Sequence, residues 1–256
     1  MADWTRRFSL AGRTALVTGA SKGIGAEICE VFADAGADII ATARDRSGLA
    51  ATAAAVEARG RRCRCFTCDL VDAGAVRQMG LAALEAAGHI DILVNNAGIV
   101  RVAPAVDLSV DDWDETMAVN VRAPFVLSQV LAPGMIERRQ GKIINISSQT
   151  GVIALADHAA YATSKGALNA LTKSLMAEWA PHNIQVNAIC PTVVLTPMGR
   201  EVWSAPEKSA PFIAGTPLGR FGEPVEIADL ALYLASPAAE LVNGAVIMIE
   251  GGYSSV

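Results

Sequence analysis

Aromatic residues and net charge are both scarce in this sequence, and each shortage limits what the protein can be. Phe, Trp and Tyr make up only 5% of the 256 residues, whereas 52% are hydrophobic. The core must therefore consist mainly of Ala, Val, Ile and Leu, which suits helices that pack closely on a sheet. The net charge is −5, which gives no general attraction to nucleic acid.

Long hydrophobic runs are also missing. No stretch reaches the roughly 18 apolar residues that a membrane-spanning helix needs. The first residues, MADWTRRFSLAGR, carry charges but lack the apolar centre of a secretory signal. We therefore expect a cytoplasmic protein that does not bind membranes.

Cysteine is present, but its pattern does not favour a metal site. Cys63, Cys65 and Cys68 have the spacing C-x-C-x-x-C, with no His and no fourth Cys close to them in sequence. The segment that carries them has the character of a strand. We expect buried, reduced thiols here and predict no metal site.

Seven strand-like segments recur along the chain, with helical segments between them. Near-continuous apolar runs of this kind are typical of parallel strands that are covered on both faces. The sequence predicts an α/β fold: a single-domain, Rossmann-type doubly wound parallel sheet of seven strands with helices on both faces. We place strands at 13–18, 37–42, 62–67, 90–95, 141–146, 183–189 and 244–249, and the clearest helices at 24–35, 109–138, 159–180 and 223–235.

No linker or internal repeat interrupts this pattern, so residues 1–256 are predicted to form one domain. Residues 193–224 lack a clear strand and contain five prolines. We interpret the part near 193–215 as a mobile cover that closes over a substrate at the strand ends.

A glycine-rich turn follows the first predicted strand. Residues 18–25 read TGASKGIG, so Gly19, Gly23 and Gly25 have the spacing G-x-x-x-G-x-G. Glycines let the backbone approach a pyrophosphate closely, and the following helix offers its N-terminal N–H groups. Between a strand and a helix, this turn favours a dinucleotide site over an ordinary tight turn. Further candidate contacts in the turn are Ser21, Lys22 and Ile24.

The end of the second strand distinguishes NADP from NAD. An acidic residue there would bind a ribose 2′-hydroxyl and repel a 2′-phosphate. Ala43 occupies the expected acidic position, Arg44 follows it, and Lys22 adds a second cation. These residues point to NADP, although Asp45 is close enough in sequence to reach the ribose, and both cations could be ordinary surface charges.

Tyr161 and Lys165 stand one helical turn apart, so their side chains share a face. Such a pair also arises by chance on helix surfaces. A nearby cation favours the phenolate and lowers the pKa of a tyrosine. Lowering it from about 10 to about 7 takes roughly 4 kcal/mol. We therefore expect Tyr161 to exchange a proton with a substrate under the influence of Lys165.

The ordered set of motifs resembles the short-chain dehydrogenase/reductase family over about residues 9–254. It is similar above all to the branch that contains L-xylulose reductases and polyol dehydrogenases. The motifs are TGASKGIG (18–25), DL (69–70), NNAG (95–98), VNVRAPF (119–125), SS (147–148), YATSK (161–165) and CPTVVLT (190–196). Thr192 stands where the family usually has glycine, so the sequence departs from the family pattern at this position.

The resemblance implies roles for individual residues. Ser148 lies thirteen residues before Tyr161, the family's usual gap, and the implied catalytic set is Asn120, Ser148, Tyr161 and Lys165. Asn120 would complete a proton relay. Further cofactor contacts are implied at Asp69, Leu70, Asn96, Ala97, Gly98, Val194 and Thr196. A homotetramer is implied as well.

The substrate is less well defined by the sequence. Gln149 and His158 would give a polar pocket beside Ser148 and Tyr161, and Trp203 lies in the predicted cover. We expect an NADP(H)-dependent oxidoreductase acting on a sugar ketone, polyol or small dicarbonyl. A 3-oxoacyl or other ketone reductase is an alternative, and so is a non-catalytic dinucleotide-binding protein.

Overall fold

Seven parallel strands form one sheet in the computed structural model, which describes residues 4–256. The strand order is β3-β2-β1-β4-β5-β6-β7, and every adjacent pair is parallel. The predicted seven-stranded fold is confirmed. The strands are β1 Thr14–Thr18, β2 Asp38–Ala43, β3 Cys63–Thr67, β4 Ile92–Asn95, β5 Gly141–Ile146, β6 Ile184–Pro191 and β7 Val246–Ile249.

Helices connect these strands and cover both faces of the sheet. They are α1 Gly23–Asp34, α2 Arg46–Ala58, α3 Ala73–Ala87, α4 Val110–Met117, α5 Ala123–Arg138, α6 Ala159–Trp179, α7 Pro197–Val202, α8 Pro206–Ala214 and α9 Pro224–Ala235. Within the described range, no helix is both long and apolar enough to cross a membrane.

Two parts of this helical set differ from the sequence predictions. The predicted helix 109–138 is divided into α4 and α5 by a π-helical turn, Ala118–Arg122. The predicted cover, for which we expected no strand and predicted no helix, contains α7 and α8. Both helices begin at a proline, and proline is well suited to the first helical position because its missing N–H needs no partner there.

Two apolar layers enclose the sheet. On one face Ile28 of α1 and Leu234 of α9 pack against Val17 of β1, all three at most 1% exposed. On the other face Leu127 of α5 packs against the strand residue Leu16, which neighbours Val17 in sequence. Adjacent strand residues point to opposite faces, so both faces must be apolar.

The outermost strand, β3, corrects the expectation for the cysteines. Cys65 is exposed and Cys63 is only half-buried, whereas Cys68 is buried as predicted. β3 pairs with β2 alone, so its outer side has no neighbouring strand to cover it. All 5 cysteines are free thiols.

Candidate active site

A cleft with a volume of about 660 Å³ opens at the carboxyl ends of the strands. It spans the point where the strand order reverses, between β1 and β4, which is where open α/β sheets bind ligands. Most of the predicted site residues line it: Gly19, Ser21, Lys22, Gly23, Ile24, Arg44, Asp69, Leu70, Asn96, Ala97, Gly98, Ser148, Tyr161, Lys165, Val194 and Thr196.

The glycine turn after β1 is tied to the loop after β4. Gly19 has a φ of +66°, and a Cβ there would lie 2.9 Å from Nδ2 of Asn96, so only glycine fits. Asn96 Nδ2 donates to the carbonyls of Thr18 (2.9 Å) and Gly19 (3.3 Å). The N–H groups of Asn96 and Ala97 both donate to Thr18 Oγ1 at 3.0 Å. These bonds fix the floor of the cleft.

Gly25 allows the first turn of α1 to pack closely against the glycine turn. It is buried in the first turn of α1, and a Cβ there would lie 2.3 Å from the Gly19 carbonyl oxygen and 2.5 Å from Asn96 Nδ2. We predicted Gly25 as a cofactor contact, but the structure places it behind the turn. Its missing side chain lets α1 begin close to β1, as the third glycine of a dinucleotide fingerprint does.

The start of the predicted cover borders the same turn. A Cβ at Gly23, whose φ is +59°, would lie 3.0 Å from Cγ2 of Thr196. Thr196 caps α7 because its Oγ1 accepts a hydrogen bond of 3.0 Å from the N–H of Gly199. Val194 forms an isolated parallel bridge with Gly222. The two predicted contacts in this segment are therefore anchored beside the glycine turn.

Cations stand at the rim of the cleft after β2. Arg44 is exposed there, as is Lys22 of the glycine turn. The adjacent carboxylate, Asp45, caps α2 by accepting hydrogen bonds from the hydroxyl (2.6 Å) and N–H (3.0 Å) of Ser47. The Ser47 hydroxyl is the main reason why the pKa of Asp45 is lowered. With Asp45 engaged by its own helix, the rim suits a 2′-phosphate better than a free 2′-hydroxyl.

The predicted catalytic side chains meet where β5 approaches α6. Nζ of Lys165 lies 5.6 Å from the ring centroid of Tyr161 and donates a 2.7 Å hydrogen bond to the carbonyl of Ile146. Ser148, the second residue after β5, forms a hydrogen bond with the Tyr161 side chain that lowers the pKa of the phenol. A phenol, an ammonium and a serine hydroxyl thus share one wall of the cleft.

Asn120 lies behind this wall, fully buried in the π-helical turn. Its Nδ2 donates to the Ile99 carbonyl (2.9 Å) and to Ser164 Oγ (3.0 Å), and its Oδ1 accepts from the Ile99 N–H at 2.9 Å. A Cβ at Gly98 would lie 3.3 Å from Asn120 Oδ1 and 3.4 Å from Lys165 Nζ. Asn120 therefore holds the loop after β4 beside the lysine ammonium.

Burial controls the ionisation of the catalytic pair. It raises the pKa of Tyr161, and a hydrogen bond with Ser148 offsets this only in part. Burial also lowers the pKa of Lys165 to about 8. The chain's own groups therefore raise the pKa of Tyr161, where the sequence led us to expect a lowering, because lost hydration outweighs the hydrogen bond with Ser148. At pH 7 the phenol is protonated and the lysine is charged.

Of the predicted substrate residues, Ser148 and Tyr161 line the cleft, whereas Gln149, His158 and Trp203 lie outside its lining, as far as the described residues define it. Gln149 is buried, and its Oε1 has no hydrogen-bond partner within residues 4–256. The ring of His158 lies 6.4 Å from that of Tyr161, and its Nδ1 lies 2.6 Å from the Ala156 carbonyl oxygen. Both residues thus adjoin the catalytic wall.

Trp203 belongs to an aromatic cluster at the cover. Its ring lies 5.0 Å from that of Phe212 and 5.4 Å from that of Phe221, between ring centroids. Phe212 in turn stacks on Tyr253 at 4.7 Å. The cluster joins α7 and α8 to the last turn of the chain, so Trp203 packs within the cover.

Sequence reasoning assigned no site role to several residues of the cleft lining. Among them, Ile99, Val100 and Arg101 line the cleft directly after NNAG, and their place after a strand end was a usable signal. Cys190, a buried thiol on β6 near Lys165, begins the CPTVVLT motif but was likewise given no role. No metal site of three or more His, Cys, Asp or Glu occurs in the described part of the chain.

Comparison with known proteins identifies the family to which the chain belongs. A family model described as enoyl-(acyl carrier protein) reductase matches residues 19–254. D-threitol dehydrogenase of Mycolicibacterium smegmatis is 43% identical over 247 residues, which cover 96% of this chain and 95% of the relative. The chain belongs to the short-chain dehydrogenase/reductase family. It is therefore an oxidoreductase, and the predicted resemblance is confirmed.

Further relatives place the chain in the polyol dehydrogenase branch of that family. L-xylulose reductase of Bos taurus is 40% identical over 245 residues, covering 95% of this chain and 97% of the relative. A crystal structure of a gluconate 5-dehydrogenase from Burkholderia cenocepacia, in complex with NADP and tartrate, is 37% identical, with a TM-score of 0.94 and 99% of each chain covered.

Proposed function

We propose that the chain is an NADP(H)-dependent oxidoreductase that interconverts a secondary alcohol and a ketone, on a sugar ketone, polyol or small dicarbonyl. One observation carries this proposal: Ser148, Tyr161 and Lys165 share one wall of a cleft whose floor is a glycine turn. Neither a bare dinucleotide-binding protein nor a structural protein needs that wall. D-threitol dehydrogenase and L-xylulose reductase, named for neutral sugar chemistry, support the substrate class.

The cleft fits the cofactor on its own geometry. The Gly19 backbone has room only because it carries no side chain, and Arg44 and Lys22 stand at the rim with Asp45 turned to its helix. When bound, the nicotinamide cofactor supplies or accepts the hydride. The predicted contacts with it are Gly19, Ser21, Lys22, Gly23, Ile24, Arg44, Asp69, Leu70, Asn96, Ala97, Gly98, Tyr161, Lys165, Val194 and Thr196.

The proton is handled by the chain itself. Tyr161, neutral at pH 7 because burial raises its pKa, donates its proton to the carbonyl oxygen as the substrate is reduced. Ser148 donates a hydrogen bond to the same oxygen and holds it near the phenol. Lys165 supplies positive charge beside the phenol. Asn120, which keeps the loop after β4 against Lys165, completes a path through water to solvent.

The substrate sits between the catalytic wall and the cover. Gln149 adjoins Ser148 and His158 adjoins Tyr161, so these two side chains border the substrate pocket from behind the cleft lining. Residues 193–215 close over the bound substrate, with Trp203 packed inside this cover. Closure excludes water from the reacting centre. In this proposal residues 1–256 act as one domain.

The proposal extends to assembly and location. An apolar groove on α4, α5 and α6, lined among others by Met117, Val121, Phe125 and Leu171, supports a homotetramer in which these helices pack together. Phe125 is 42% exposed in the single chain. We place the assembly in the cytoplasm, with no nucleic-acid or membrane partner. Sedimentation equilibrium that gives a monomer would contradict the tetramer.

Replacement of one hydroxyl tests the proposed chemistry. Tyr161→Phe removes the proton donor and keeps the ring, so turnover with any accepted ketone should fall by about 10²- to 10⁴-fold. Binding of NADPH, measured by calorimetry, should change by less than about threefold. The matched control is Tyr233→Phe on α9, which should stay active. Activity of Tyr161→Phe within a few-fold of the parent would refute the acid role.

A further inference from the structure

Arg101 is a cation of the cleft lining near its catalytic end, where Lys165 also stands. It lies three residues after Gly98, where a Cβ would come within 3.4 Å of Lys165 Nζ. The N–H of Ala103 donates a 3.0 Å hydrogen bond to the carbonyl of Asp157, just before α6. The loop that carries Arg101 is thereby fixed between the catalytic wall and α4, at the end where the substrate lies.

Two carboxylates of α4 hold this arginine. Its Nε lies 3.1 Å from Asp112 Oδ1, and its Nη2 lies 2.5 Å from Glu115 Oε2. Asp112 is itself fixed, because Ser109 Oγ donates to its Oδ2 at 2.8 Å and accepts from its N–H at 3.1 Å. We call Arg101, Asp112 and Glu115 the arginine clamp.

The clamp changes what Arg101 can recognise. Nε and Nη2 form one of the two edges of the guanidinium that can grip a carboxylate with two parallel hydrogen bonds. That edge is already occupied by α4. The N–H groups on the other edge, formed by Nη1 and Nη2, can still donate hydrogen bonds. One positive and two negative groups give the clamp a formal charge of −1, so an anion that approaches this free edge is repelled whereas a neutral hydroxyl is not.

We propose that the arginine clamp makes this enzyme selective for neutral polyols and ketoses over sugar acids. This inference rests on the function proposed above and narrows its substrate class. It addresses a real division among the relatives, since one is named for D-threitol and another for gluconate. A sugar acid would bring its carboxylate toward a clamp of net negative charge, whereas a neutral polyol carries no charge that the clamp could repel.

The test compares kcat/KM for D-threitol, xylitol and galactitol with that for D-gluconate, using NADP at low ionic strength. The parent enzyme should prefer at least one neutral polyol by about tenfold or more. The double variant Asp112→Asn with Glu115→Gln frees the guanidinium and should raise kcat/KM for gluconate by about tenfold, with the polyol values within about threefold. High salt should reduce the difference between parent and variant.

Controls separate the clamp from general charge. Asp111→Asn with Asp114→Asn makes the same charge change on α4 without touching Arg101, and should leave the substrate ratio unchanged. Glu115→Gln alone preserves the Ser109–Asp112 cap of α4, and should shift the ratio in the same direction if the double variant is unstable.

The outcomes distinguish this inference from the function on which it rests. If the parent oxidises gluconate as well as the polyols, or if freeing Arg101 leaves the ratio unchanged, selectivity by the clamp is overturned while the oxidoreductase proposal stands. If the parent converts none of these alcohols and none of the corresponding ketones with either cofactor, the proposed function fails first, and the inference fails with it.

Discussion

The buried ammonium of Lys165 should leave a measurable signature in stability. It is 3% exposed, and burial lowers its pKa from 10.5 to about 8. In the unfolded chain the same lysine keeps its ordinary pKa. Between pH 8 and 10.5 the unfolded state therefore binds more protons than the folded state, so this group makes the free energy of unfolding rise with pH in that window.

The size of the effect follows from the shift. The full difference in pKa corresponds to about 3 kcal/mol of destabilisation, present below pH 8 and lost above 10.5. From pH 7.5 to 9.5 the recovered part is about 2 kcal/mol. Lys165→Met cannot titrate. The difference in unfolding free energy between parent and variant should therefore change by about 2 kcal/mol over this interval, in favour of the parent at high pH.

Urea unfolding at fixed protein concentration measures this difference. Contributions of groups that do not interact with Lys165 cancel in the comparison, and the lost hydrogen bond to Ile146 adds only a constant. Cys190, whose pKa Lys165 lowers, is replaced by Ser in both proteins so that its titration does not enter the difference. Lys142→Met is a positive control, because burial lowers the pKa of Lys142 to about 8 as well. It should reproduce the pH effect with activity retained. If the free energies of unfolding of the parent and of Lys165→Met differ by the same amount at pH 7.5 and pH 9.5, the reasoning is refuted.

Three further predictions test the cofactor site and the cover. Arg44→Asp should lower the NADPH-to-NADH ratio of kcat/KM about tenfold or more, whereas Arg46→Asp should not; equal shifts would show only an effect of net charge. Gly25→Ala should lower the free energy of unfolding, measured in urea, by about 3 kcal/mol. The helical control Gly134→Ala should lower it much less, because the new Cβ there meets a movable side chain. NADPH should slow trypsin cleavage within 193–215; equal rates with and without it would contradict closure.

The strands and the ligand site were predictable because their signals are local. A parallel strand that is buried on both faces leaves an apolar run, and each predicted strand lies within two residues of the observed one at both ends. The carboxyl ends of parallel strands also lie at the same edge of the sheet. Residues that follow different strands, such as Gly19, Asn96 and Ser148, could therefore be expected to share a cleft before any coordinates were known.

Features that depend on distant neighbours were not predictable. Cys65 is exposed because β3 is the outermost strand, which is a property of strand order and not of the segment itself. Arg101 meets carboxylates 11 and 14 residues further along the chain, through a loop whose course the motifs do not define. The π-helical turn around Asn120 lacks a local pattern that would separate it from a continuous helix.

The pKa of Tyr161 shows why spacing alone gave the wrong sign. Two residues one turn apart on a helix bring a cation near a phenol, and this proximity favours the phenolate. The same packing that fixes their geometry removes water from both groups, and each then resists its charged form. For carbonyl reduction at pH 7 this is the useful state, because Tyr161 keeps the proton that it must give away. For alcohol oxidation the phenolate must form while Lys165 is still protonated. The protonated fraction of Lys165 falls as the pH rises past its pKa of about 8. The two requirements therefore oppose each other as the pH rises.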